Sequence, residues 1–411
     1  MNGGDDAASA LRGSRAVAVF VAFAFAYFFS ALLRAVTATL APVFSQELDL
    51  GAAQLGLLAG AYFLGFSIMQ LPVGRWLDGH GPKRVMTGLM FVAIAGCMAF
   101  AAAQTMTQML LARLIIGVGV SACLMAPLTL YRHGFDLAGQ LRANSWMLMT
   151  GSLGMLASTL PTQWVLPLIG WRGLFAAVAG LLLLSTAVIF LVVPADPKSS
   201  AQTLPTAPGY LAVFRSPAFR RLAPAAFFSY GGLIAMQSLW IGPWLTHVGR
   251  RTPAEAAAGL FIVNASMLLA FLFWGWVMPR LIKAHWSGER LIAIGWPLGV
   301  MALAAILWRG ESAGPADWAI WCVLTSVVSL SQPAVAQAFP LELAGRALSA
   351  FNLVIFFGVF AVQWGLGLLI DALMGFGWSA DSAYRTSFAA FMIACAASFL
   401  FMHGHSRSAR R

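Results

Sequence analysis

The sequence predicts an all-α polytopic membrane protein: twelve transmembrane helices arranged as two parallel six-helix repeats, with both termini cytoplasmic. Three observations lead there. Of 411 residues, 60% are hydrophobic and only 9% are charged, with a mean hydropathy of +0.81, whereas a soluble domain carries about 25% charged residues. The apolar residues fall into runs of the ~20 residues that one bilayer crossing takes. Backbone groups in lipid must pair within their own segment, so runs of that length are helices. The ten-residue alternating segments of a closed barrel do not occur.

Taken in order, the first run covers 16 to 44 and holds Arg34 in "YFFSALLRAVTATLAP". It is too long for the core of a signal peptide, so it stays as a helix. Runs follow at 54 to 77, 85 to 104, 108 to 131, 141 to 165 and 173 to 194, separated by short clusters of Gly, Pro and charge. The segment "PADPKSSAQTLPTAPGY", rich in Pro, Ser and Thr, then reads as a linker. The second set lies at 221 to 247, 255 to 281, 289 to 309, 317 to 338, 346 to 371 and 384 to 402. The expected units are therefore a six-helix bundle over 1–194, a cytoplasmic linker over 195–220 and a second bundle over 221–411.

Orientation follows from charge. With the N-terminus inside, 18 of the 25 Lys and Arg residues fall on the cytoplasmic side and five on the other, a positive-inside bias. The same distribution argues against nucleic acid as a partner. The net charge of +11 is scattered over short loops on one face of a membrane rather than gathered in a patch. Cys97, Cys123, Cys322 and Cys395 all lie inside spans without metal-ligand spacing. Neither a phosphate-cradling glycine loop nor a zinc-type cluster nor a Ser/His/Asp arrangement is present, so no enzyme, no cofactor and no metal is expected.

Repetition supports two halves. "DLAG" at Asp136 to Gly139 returns as "ELAG" at Glu342 to Gly345, an offset of 206 residues shared by Pro127 and Pro333. Parallel repeats of this kind place a substrate site near the midplane, between them.

The loop after the second span reads "GRWLDGHGPKRV". It resembles the G-x-x-x-D-R-x-G-R-K signature of the major facilitator superfamily of secondary transporters, with Gly74, Asp78, Gly81 and Lys83 in register and Arg84 beside them. Gly79 and Pro82 stand where that family usually has basic residues. "RLIIGVG" in the fourth span is similar to the family's R-x-x-x-G-x-G pattern, through Arg113, Gly117 and Gly119, and "GWRGLF" from Gly170 is also familiar from it. The fifth span lacks the G-P-x-x-G-G sequence of drug/proton antiporters. The resemblance implies a conformational latch at Gly74, Asp78, Gly81, Lys83 and Arg84, and a role for Arg113 in binding or coupling.

Charges within lipid are functional candidates because they are costly there. Arg34 and Arg113 are the deep ones, at about 12 and 8 Å from the outer ends of their helices at ~1.5 Å per residue, and so are expected to share one cavity. Tyr27, Ser30, Arg34 and Thr37 recur at helical spacing and form one polar face. Two guanidinium groups without a buried acid suit an anion. From the second half, Gln237, Trp240, Asn352 and Gln363 are expected to form an amide and aromatic wall. At the 206-residue offset Arg34 corresponds to Trp240.

The expected function is a secondary transporter that moves a small organic solute, anionic through a carboxylate or phosphate, by alternating access. An exporter of drugs, metabolites or metal chelators is the alternative, followed by a transporter-like solute receptor. Expected partners are the lipid bilayer, the substrate and protons as a coupling ion, in a monomer set as a multi-pass protein in the plasma membrane, the inner membrane of a bacterium.

Overall fold

The computed structural model describes residues 13–135, 137–194, 209–286 and 288–408, and every regular element among them is helical. Ten helices are long and apolar enough to cross a membrane; the bent pair Ala52–Ile68 and Gln70–His80 makes eleven. The remaining predicted span, 141 to 165, corresponds to Leu137–Ala157 continued, after a turn at Ser158 and Thr159, by the first part of Leu160–Val192. This is consistent with twelve crossings. Gly170, at φ 66°, divides Leu160–Val192 into the end of the fifth span and the whole of the sixth. A positive φ there suits glycine alone. Asp136 of the repeat echo and residues 195–208 of the predicted linker lie outside the described residues. The rest of that linker is helical, as Tyr210–Arg215 and the start of Pro217–Ala225.

Several spans are interrupted, and proline is the physical cause. A proline has no N–H for the carbonyl four residues before it. Pro72 follows the 42° bend at Met69. Pro127 follows a turn at Ser121 to Leu124 that splits the fourth span into Met106–Val120 and Met125–Gly134. Its repeat partner Pro333 follows a 3-10 turn, Ser326–Leu330, in the tenth. In the seventh span, which contains Pro224 and Pro243, α-helical pieces alternate with the π-helical pieces Ala226–Tyr230, Met236–Trp240 and Trp244–Val248. The fourth span begins on a capping box in which Thr105 Oγ1 accepts from Gln108 N and Gln108 Oε1 accepts from Thr105 N.

The first span, Gly13–Glu47, packs on the fifth, sixth and seventh, and the second packs along the eleventh, Leu341–Gly375. Thr39 Oγ1 donates to the Ser158 carbonyl at 2.7 Å, which ties the first span to the bend in the fifth. Two segments from opposite halves thus border the middle of the first span, where Arg34 lies.

Candidate functional site

Arg34 is half-buried. Its guanidinium carbon stands 5.7 Å from the ring centroids of both Phe66 and Phe356, within the ~6 Å reach of a cation–π contact. Those two rings meet edge to face at 4.5 Å. The ionisable side chains that bear on the guanidinium include the phenols of Tyr62, Tyr27 and Tyr230 and the thiol of Cys123. Tyr62 and Phe66 come from the second span, Tyr230 from the seventh and Phe356 from the eleventh, so the cation sits where the two halves meet. Arg34 Nε, Ser30 Oγ and Thr37 Oγ1 are buried polar atoms with no hydrogen-bond partner among the described residues. The polar face read from the sequence is therefore present, and it engages the second span through the Arg34 side-chain contact with Tyr62.

Arg113 is placed differently. It is completely buried, its Nη1 donates to the Leu33 carbonyl at 2.9 Å, and its guanidinium lies between the rings of Phe100 and Phe175 at 5.4 and 5.6 Å. All these partners belong to the first half. The expectation that both arginines look into one cavity thus divides: Arg34 borders both halves, while Arg113 holds the backbone next to it. Tyr62 bears on both cations and donates its hydroxyl to the Ser30 carbonyl at 3.1 Å. None of the ion pairs among the described residues involves either arginine. The glycines that follow Arg113 serve packing. A Cβ on Gly117 would lie 1.9 Å from the Tyr62 carbonyl oxygen, and one on Gly119 would lie 2.2 Å from Ala93 N.

Of the other predicted site residues, Tyr27 is buried with its ring against Gly151, whose Cβ would come within 2.5 Å of it. Gln237 Nε2 donates to Asn264 Oδ1 at 2.8 Å, and Asn352 Oδ1 accepts from Gln332 Nε2 at 2.7 Å. Gln363 Nε2 donates to Ser238 Oγ at 3.0 Å, leaving Oε1 without a partner among the described residues. Trp240 is fully buried against Tyr384 and Phe388 of the twelfth span. The amides mostly pair with one another and Trp240 stands in an aromatic core, so the second half meets Arg34 through Tyr230 and Phe356.

Tyr62, Phe66 and Phe356 escaped the sequence reading, although one signal pointed to their helix. "GLLAG", Gly56 to Gly60, is a G-x-x-x-G pattern, which marks a face for close helix packing. In the structure that face meets the eleventh span. A Cβ on Gly56 would stand 2.2 Å from the Gln363 carbonyl oxygen, and one on Gly367 would stand 2.3 Å from that of Ala52. At the end of this seam, Asp371 Oδ1 and Oδ2 accept from Ala52 N at 3.0 Å and Ala53 N at 2.8 Å. One half thereby caps a helix of the other.

The motif loop lies at the opposite, basic end. Gly81 has φ 81°, a conformation that suits glycine, and joins Gln70–His80 to Pro82–Ala102. Lys83 Nζ donates to the Val193 carbonyl at 2.7 Å, tying the loop to the end of the sixth span. Gly74 faces Ser349 and Tyr210 with room for a methyl group. Tyr210, from the linker, stacks on Arg75 at 5.3 Å, bears on Asp78 and Arg346, and donates to the Leu71 carbonyl at 3.4 Å. Arg84 follows Lys83 in the first turn of Pro82–Ala102.

The family model for the Major Facilitator Superfamily matches residues 23–362. An inner membrane transport protein of Escherichia coli (strain K12), YdhP, is 23% identical over 345 residues, covering 82% of this chain and 86% of its own length. A probable L-galactonate transporter of the same strain is 27% identical over 139 residues, 32% of this chain and 29% of its own. Among solved structures, a bacterial homologue of the human lysosomal transporter Spinster, inward-facing and unoccupied, superposes with a TM-score of 0.76 at 18% identity, covering 96% of this chain and 98% of that one. That likeness shows the fold.

Proposed function

The chain belongs to the major facilitator superfamily, and from that premise we propose that it is a secondary transporter moving a small organic anion across the bilayer by alternating access. The observation that supports this most is Arg34. It is a cation at the junction of the two halves, flanked by phenols and phenyl rings, with an unpartnered Nε–H and no ion pair. A guanidinium presents planar donors that match a carboxylate or phosphate, and the hydroxyls of Tyr27 and Tyr230, which bear on the guanidinium, can add hydrogen bonds to an anion there. The flanking rings offer area to the apolar remainder of the solute. A relative named for L-galactonate transport agrees with an organic acid as cargo.

In this reading the bundles 1–194 and 221–411 rock about Arg34. The seam from Gly56 to Asp371 closes one end, and Gly74, Asp78, Gly81, Lys83 and Arg84 latch the other. Arg113 positions the Arg34 backbone through the Leu33 carbonyl. Among the described residues no Asp, Glu or His bears on the Arg34 guanidinium, so a coupled proton travels on the carboxylate of the substrate. The site is complete within one chain, and the transporting unit is a monomer.

The test is uptake into proteoliposomes of a panel of radiolabelled carboxylates, phosphates, neutral sugars and organic cations. Saturable uptake of an anion that Arg34→Gln removes supports the proposal. Transport restricted to neutral or cationic solutes, with Arg34→Gln at the wild-type rate, sinks it. An inward proton gradient is expected to accelerate uptake, and a flux indifferent to it assigns the cycle to exchange.

A further inference from the structure

Away from the interface between the halves, the eighth, ninth and tenth spans enclose a groove of about 650 Å³, within the ~300–1,000 Å³ range of ligand sites. Leu269, Phe273, Trp274, Ile294, Val323 and Val327 line it, and Leu269, Phe273 and Ile294 are themselves exposed on the outside of the bundle. Trp274 turns its one polar atom away, donating Nε1–H to Ser326 Oγ at 2.9 Å, so its ring is an apolar wall. A groove so lined has little with which to orient a water-soluble solute, and it suits a hydrocarbon chain.

Its end towards the loop between the eighth and ninth spans is basic and aromatic. Trp286 closes the groove there, with the Arg290 guanidinium 4.7 Å above its ring. The stripe Ser266, Leu269, Phe273 continues, seven residues on, at Arg280, which stacks on Trp276 at 4.0 Å. Lys283 is exposed one turn further. The acid in this stretch, Glu289, is ion-paired with Arg221. Trp at the headgroup level with basic residues beside it is the composition of a lipid interface, and cationic side chains there attract anionic headgroups. We infer that this groove binds an anionic phospholipid, with an acyl chain between Trp274 and Ile294 and the phosphate held by Arg280, Lys283 and Arg290.

The test uses the purified full-length protein in a neutral detergent, with the heat-inactivation midpoint and native mass spectrometry as readouts. The additions are phosphatidylglycerol, phosphatidylcholine with the same chains, and glycerol 3-phosphate alone. Phosphatidylglycerol is expected to raise the midpoint by several degrees and to remain as one retained lipid. Phosphatidylcholine and glycerol 3-phosphate are expected to do neither. Lys283→Gln combined with Arg290→Gln is expected to lose at least half of that shift, as is the groove-filling Ser266→Phe, while the midpoint of each in phosphatidylcholine stays at the wild-type value. Should one of these variants fail that control, the other and the single Lys283→Gln carry the comparison. An equal response to both lipids overturns the inference, as does a full shift retained in the charge variants. Glycerol 3-phosphate reproducing the shift also overturns it, since the acyl chain is then not held. Both readouts are independent of transport, so their failure leaves the Arg34 proposal untouched.

Discussion

Arg34 and Arg113 are both arginines inside apolar helices of the same half, yet their surroundings differ in kind. Arg113 is enclosed by Phe100 and Phe175 and holds the Leu33 carbonyl, so its charge is part of the packing of one bundle. Arg34 is half-exposed between bundles, beside Tyr230 and Phe356 of the other half, with an Nε–H lacking a partner among the described residues. A buried charge is costly wherever it lies. What separates a structural cation from a ligand-binding one is where its donors point and whether its neighbours move relative to one another.

The contrast breaks most readily at Arg34. Arg34→Gln is expected to lower anion transport on the order of 100-fold, corresponding to the ~2–5 kcal/mol that a desolvated charge contact carries, while the heat-inactivation midpoint stays nearly constant. A large fall in stability instead would place Arg34 with Arg113. Gly117→Ala, whose methyl meets the Tyr62 backbone, is expected to cost about 3 kcal/mol as overpacking and to cut the yield of folded protein on gel filtration. Next comes Arg113→Leu, which removes the charge-assisted hydrogen bond to the Leu33 carbonyl and is expected to cost about 1.5–3 kcal/mol. It should show mainly in the inactivation midpoint, with the substrate KM of surviving protein changed less than threefold. Tyr62→Phe removes the hydroxyl near both cations and is expected to cost about 1 kcal/mol of stability and to raise KM several-fold. Gln237→Leu, which breaks only the amide pair with Asn264, is expected to change stability by ~0.6 kcal/mol and transport by less than twofold. A larger transport effect there would return the second-half amides to the site.

The fold was legible because hydropathy and charge asymmetry act residue by residue along the chain. The shared offset of Pro127 and Pro333 was visible in the repeat, whereas the chain breaks beside them were not, because the apolar runs continue through both. Arg34 and Arg113 stood out as charges in apolar runs, and the face bearing Tyr27, Ser30 and Thr37 followed from helical period. Their different roles were not visible, since they depend on which rings from the second, seventh and eleventh spans arrive beside them. Phe66 and Phe356 are ordinary residues in an apolar helix until the G-x-x-x-G seam brings their helices together. Trp240 and Gln237 looked functional by residue type, but their partners, Tyr384, Phe388 and Asn264, lie on other helices. The role of Asp371 was not legible because its partners are backbone atoms more than 300 residues away.

In the proposed cycle, the reach of Asp371 from one half to the helix end of the other sets the gap that opening this face has to overcome. Two hydrogen bonds to a carboxylate contribute roughly 3–6 kcal/mol together. Moving a two-state equilibrium from 1:99 to 99:1 takes about 5.5 kcal/mol of differential affinity. The opening gap is therefore of the size that the differential affinity of the proposed cargo has to supply. With backbones in close contact along the glycine seam, intermediate openings have little to stabilise them, so the proposed cycle is expected to shift its populations as a whole when cargo arrives.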